Sequence, residues 1–170
     1  MSDASDSTIF LSYDSVTGEV SFNDGGVEAG PGTNWVQLTQ CILRADLNVQ
    51  GRVMSGGNIR NVDFGGEAPP LKIVKRTDAA TVGLMREMLG TPGLRSAVVT
   101  FVRTDTDGPA EYLRYEMTGC SIVGFEFASF GDNRSHETFE ILYKRLTIKA
   151  YAGTDGAKGA QAMAVLTNGS

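Results

Sequence analysis

Ala97-Val-Val-Thr-Phe-Val-Arg103, Glu111-Tyr-Leu-Arg-Tyr-Glu-Met-Thr118, Cys120-Ser-Ile-Val-Gly-Phe-Glu-Phe127 and Thr138-Phe-Glu-Ile-Leu-Tyr-Lys-Arg-Leu-Thr-Ile148 follow one another and decide the fold class. All four are rich in β-branched and aromatic residues, the types that fit a pleated, half-buried surface. Thr104-Asp-Thr-Asp-Gly-Pro109 supplies turn chemistry after the first, and the polar stretch Ser129-Phe-Gly-Asp-Asn-Arg-Ser-His136 precedes the last. Leu113, Tyr115 and Met117 share one side of the second segment, the period of two that marks a strand. Two segments are apolar on both faces. Val98, Thr100 and Val102 oppose Val99 and Phe101, and Phe139, Ile141 and Tyr143 oppose Leu142, Leu146 and Ile148. Such strands must be covered on both faces, so part of that cover is expected from another subunit.

Upstream, Ile9-Phe-Leu-Ser-Tyr13 and Leu71-Lys-Ile-Val-Lys75 read as short strands. Trp35-Val-Gln-Leu-Thr-Gln-Cys-Ile-Leu43 reads as a longer one, with Val36, Leu38 and Ile42 on one face. One helix is expected from Thr77 or Asp78, either of which can cap its first turn. Its apolar stripe is Val82, Met85 and Leu89 with Met88 beside them, Gly90 is a left-handed stop, and Pro92 prevents continuation. Residues 14–34 and 44–70 are glycine-rich and polar, hence loops, and a connection as long as the second tends to be functional or disordered. The expected organisation is a frayed tail over residues 1–8, a domain over 9–151 and a flexible tail over 152–170, in which Met163-Ala-Val-Leu166 has the apolar character to pack. The fold class is mainly β: a two-sheet antiparallel β-barrel or sandwich with one flanking α-helix.

Composition narrows the function. The 170 residues suit a single domain. With 15 basic and 20 acidic residues, the net charge is −5 and no basic stripe exists, which argues against nucleic acid as partner. No apolar run approaches the roughly 20 residues that span a bilayer. Met1-Ser-Asp-Ala-Ser-Asp-Ser-Thr8 lacks the basic and apolar regions of a secretory signal. The expected compartment is the cytoplasm, with any exit occurring without a cleaved signal. Two cysteines, Cys41 and Cys120, make no disulfide framework.

No constellation for catalysis, cofactor or metal emerges. One histidine and two distant cysteines cannot make a zinc site. Asp105-Thr-Asp107 with Glu116 at the twelfth position opens like a calcium loop, but Pro109 and Ala110 stand where an oxygen ligand and a glycine are needed. No phosphate-binding glycine motif opens a helix. A serine or cysteine nucleophile would have to use His136, which reads as a solvated loop residue. Glu111 and Glu116 could approach each other across a sheet without identifying a hydrolase. No enzyme, cofactor or metal is expected.

Ordered motifs then add to this reading. Lys72-Ile-Val-Lys-Arg-Thr-Asp-Ala-Ala80 resembles a strand whose basic end precedes a D-x-[AS] helix start. The stretch 97–105 is similar to x-x-F-x-R-x, and 111–118 to E-Y-[LFY]-x-[IY]-x-[LM]. Residues 131–148 are similar to G-D-R-P-x-E-x-[VFI]-x-[LF]-x-[YF]-x-[KR]-[IL], with Ser135-His136 replacing the usual proline. Trp35-Val-Gln-Leu38 matches W-[IV]-x-[LV], while Cys41-Ile-Leu43 stands where Y-x-W-G is common. In order and spacing, this set resembles the Hcp family, the haemolysin-coregulated tube proteins of bacterial type VI secretion.

The resemblance implies homohexameric rings that stack into a tube propelled out by a contractile sheath, with small effector proteins in the lumen. Sheath, spike and baseplate proteins would be its other partners. The long loop would reach a neighbouring subunit or ring, through Gln50, Gly51, Arg52, Val53, Met54, Asn58 and Arg60. Two other readings are a tail-tube protein of a phage-like contractile particle and, in a different class, a monomeric small-ligand-binding β-barrel.

Overall fold

The structure, a computed structural model, describes residues 7–22, 26–44, 61–63, 69–90, 95–105, 108–131, 135–151 and 161–167. Its elements in chain order are β1 (Ser7–Tyr13), β2 (Val36–Leu38), β3 (Gln40–Ile42), β4 (Asn61–Asp63), β5 (Leu71–Arg76), α1 (Ala80–Leu89), β6 (Arg95–Asp105), β7 (Gly108–Ala128), β8 (His136–Leu142), β9 (Arg145–Tyr151) and β10 (Gln161–Thr167).

The strand β7 organises the rest. Its first half pairs with β6 on one side and β9 on the other, and its second half, from Ser121, pairs with β8. One sheet therefore runs β2-β1-β6-β7-β9-β10-β4, the second β7-β8-β5-β3. All ladders are antiparallel except β4 with β10. The corner lies at Gly119, whose φ of +64° is a region L side chains avoid. A Cβ there would also lie 2.7 Å from the Lys144 side chain. Lys144 forms the matching corner between β8 and β9, its N–H donating to the Thr118 carbonyl at 3.0 Å.

This bend corrects the reading of residues 138–148 as one strand with two apolar faces. Tyr143 and Leu146 are both buried because the turn between them resets the alternation. The expected strand over residues 35–43 is likewise broken at Thr39. β2 pairs with β1 and β3 with β5, and the Thr39 N–H donates to the Val74 carbonyl at 2.8 Å.

The barrel interior is filled by Leu11, Tyr13, Leu71, Ile73, Val99, Met117, Phe139, Ile141 and Leu146, closed by Leu84 of α1. The second face of β1 and β6 is covered by the chain itself, not by another subunit. A strap made of residues 14–22 and 26–35 lays Val27 and Trp35, with Val20 and Phe22, over Phe10, Val98 and Val102. It lies so close that a Cβ on Gly30 would sit 2.3 Å from Ser12 Oγ.

The helix differs from expectation in two ways. Asp78 is its cap, accepting the Ala80 N–H at 2.9 Å while its own N–H donates to Thr81 Oγ1 at 3.2 Å. However, Ala80 and Leu84 are the buried residues, whereas Val82 and Leu89 are 57% and 80% exposed. Gly90 is extended (φ −89°, ψ −164°), not left-handed. Two further differences are strands. Residues 161–167, placed in the flexible tail, form β10, whose Leu166 is buried opposite Leu146. Residues 61–63, placed in a loop, form β4 beside it.

Gly119→Ala is expected to cost about 1–3 kcal/mol in urea unfolding, through the left-handed backbone and the Lys144 clash. Adding Lys144→Ala should recover only the part due to the clash.

Candidate functional site

Two buried charge clusters draw in several of the charged residues of the sequence motifs. Lys75 and Glu137, paired across β5 and β8, are each fully buried. Lys75 Nζ donates to Glu137 Oε2 at 2.8 Å, Thr81 Oγ1 at 3.0 Å and the Arg76 carbonyl at 2.9 Å, and forms an ion pair with Asp78 Oδ1 at 2.8 Å. Thr81 Oγ1 in turn donates to Glu137 Oε2 at 2.8 Å. An ammonium taken out of water is stable only with such partners, so this cluster fixes the start of α1 onto the second sheet.

The other cluster centres on Arg114. Its guanidinium donates to Glu111 Oε2 at 3.0 Å, Glu116 Oε1 at 2.9 Å and the strap carbonyls of Glu28 and Ala29 at 3.1 and 3.0 Å. Thr100 Oγ1 donates to the same Glu111 oxygen, and Lys149 Nζ to Glu116 at 2.9 Å. Burial draws the Glu116 carboxyl upward, but the hydrogen bonds from Lys149 and Arg114 outweigh it and hold it below the usual range. Glu111 and Glu116 are therefore neutralised by cations and latch the strap.

The remaining chemical candidates are dispersed. Burial pushes the Cys41 thiol up to about 12, and that of Cys120 to about 12 against the opposing Ala97 backbone hydrogen bond. Thiols held protonated are poor nucleophiles. His136 pairs across the sheet with Arg76 and Ala128, neither of them a nucleophile. Among the described residues no group of three possible metal ligands occurs, and no helix is long and apolar enough to cross a membrane. The loop residues Gln50, Gly51, Arg52, Val53, Met54, Asn58 and Arg60, singled out for subunit contacts, lie outside the described residues.

The geometry thus offers surfaces. No described element covers the outer face of the second sheet, where Gln40, Ile42, Lys72, Val74, Arg76, Glu126, Thr138 and Glu140 point outward in ladder rows. That sheet ends at β3 on one side and at residues 121–128 of β7 on the other. Among the described residues these edges have no further strand partner. Val123, Phe127 and Phe130 are exposed along the β7 edge. Composition gave no sign of these edges, because edge status depends on which strands pair.

The profile of the family described as "Type VI secretion system effector, Hcp" matches residues 10–150. The chain belongs to the Hcp family. Crystal structures of Hcp1 from Salmonella typhimurium (TM-score 0.64, 18% identity, 95% of this chain and 94% of that one) and of a type VI secretion effector from Yersinia pestis (TM-score 0.65, 15% identity, 94% and 98%) share the fold. So does the secreted protein Hcp3 from Pseudomonas aeruginosa (TM-score 0.61, 14% identity, 96% and 99%). No curated protein matches the sequence. Within the Hcp frame the motif residues acquire reasons. Lys75 and Asp78 from one motif meet Glu137 from another, and Glu111, Arg114 and Glu116 hold the strap.

Lys75→Met should strand Glu137 as a buried, unpaired carboxylate and cost about 3–5 kcal/mol in chemical denaturation, with Lys75→Met/Glu137→Leu recovering most of it. Because Glu116 titrates lower folded than its ordinary 4.5, its contribution is present above that pH and is lost as pH falls through the folded value. Glu116→Gln should flatten this acid limb of the stability profile. At pH 8, neither cysteine should react with a thiol reagent until the protein unfolds.

Proposed function

We propose that this Hcp protein is the subunit of the type VI inner tube. Six copies close head to tail into a ring, the number the family resemblance implies, and rings stack into a tube that sheath contraction expels. The protein is made in the cytoplasm, leaves through the apparatus, meets sheath and spike or baseplate proteins, and carries small effectors in the lumen. Its role is structural rather than catalytic.

The observation that carries this reading beyond the family match is the second sheet, which among the described residues has one uncovered face and two different unpaired edges. Joining the β7 edge of one copy to the β3 side of the next is a heterologous contact, which closes into a ring. The bare face of mixed Lys, Arg and Glu then lines the pore, and the strap-covered sheet faces outward. The loop residues 50–60 extend the contact to a neighbouring subunit or ring.

Light scattering after size exclusion, with negative-stain images of the peak, tests the reading. The expected result is a mass near six times 18.1 kDa and annular particles; a monomer at micromolar concentration would contradict it. Deleting residues 51–57 should leave the thermal transition of the domain in place but weaken ring or tube formation, and normal tubes from that variant would remove the loop from the assembly.

A further inference from the structure

Isolated exposed apolar side chains are ordinary, but several on one unpaired edge mark a contact surface. Phe127 and Phe130 are 52% and 66% exposed, with Val123 at 48%, all on or just beyond the free half of β7. Across the sheet from this edge, a cavity of about 490 Å³ opens between β1 and β2 of the first sheet and the end of β5 in the second. The apolar side chains of Ile9, Val20 and Leu38 line it, and Arg76 and Asp78 at the end of β5 and the start of α1 complete it. The strands β7 and β5 are two spacings apart, about 10 Å, so the aromatic edge and the Arg76 rim of the cavity lie on different sides of β8.

The charges match as well. Glu126 and Arg76 are both exposed on the outer face of this sheet, Glu126 at the knob and Arg76 at the cavity. The cavity's other charged groups are engaged within the subunit. Glu19 accepts the Ala79 N–H at 3.2 Å, and Asp78 pairs with Lys75. Near Glu126, Lys72 stands directly across from Glu140. Arg76 has no ion pair among the described residues.

We infer that Phe127 and Phe130 of one copy seat in the β2–β5 cavity of the next, with Glu126 meeting Arg76, and that this contact sets the head-to-tail direction of the ring. The inference rests on the ring reading above and names the surface that closes it. The aromatic rings supply the buried area and the charge pair fixes orientation, the usual division between anchors and polar groups in an interface. A patch that fits a pocket elsewhere on the same molecule makes a heterologous contact, as a ring requires.

Charge reversal tests this without touching the core. Arg76→Glu and Glu126→Arg alone each place like charges at every contact, and each should elute at the subunit mass with an unchanged melting temperature. Mixed in equal amounts, the two proteins should recover the ring mass, because alternating copies restore an opposite-charge pair at every contact; a folding defect would not be rescued in this way. Phe127→Ser with Phe130→Ser should also release subunits. If the single variants still form rings, or the mixture fails to recover them, the contact is wrong while the ring reading stands. If the unmodified protein never forms rings, both fall.

Discussion

One strand has to serve two sheets. Because β7 continues through Gly119 from the first sheet into the second, its first half is enclosed between β6 and β9, while its second half pairs, among the described residues, with β8 alone. The bend is possible because glycine tolerates φ of +64° and leaves room for Lys144. From this single corner follow the interior of the barrel, the place of α1 beneath it, and the unpaired edge that a neighbour can use. An unprotected edge is a hazard in a monomer; in a protein built to assemble, it is a joint.

The buried charges belong to the same design. Lys75 with Glu137 and Asp78 ties the helix start to the second sheet, and Arg114 with Glu111 and Glu116 ties the strap to the first. Such pairs contribute little net stability compared with apolar packing, and are costly when one partner is lost. Their effect here is positional. Strap and helix each have one seat, so the first sheet is covered outside, while no described element covers the outer face of the second.

Much of this was legible in the sequence. Strand segments after residue 93 showed themselves by alternation, the helix by Asp78 at its start, and the family by ordered motifs, some of whose charged members (Lys75, Glu111, Arg114 and Glu137) proved to be buried partners. What escaped detection depends on tertiary placement. Residues 35–43 and 138–148 read as continuous strands because a change of sheet at Thr39 or Tyr143–Lys144 leaves no local mark beyond a slip in alternation. On α1, the stripe of Val82, Met85 and Leu89 satisfied helical spacing, yet the core took Ala80 and Leu84, since the direction of the helix over β7 decides which side is buried. β10 escaped because Ala162, Met163 and Ala164 have weak strand preference, and pairing with β9 supplies what propensity does not.

On the proposed ring reading, one chain supplies a pore wall, an outer wall and a lateral joint. Electron cryo-microscopy of the assembled particles at side-chain resolution tests this arrangement most directly. The account predicts that the face bearing Lys72, Arg76, Glu126 and Glu140 lines the pore, with the β7 edge of each copy against the β2–β5 seam of the next. Rings whose pore is lined by the strap over Trp35 and Phe22, or whose β7 edges face solvent, would contradict it.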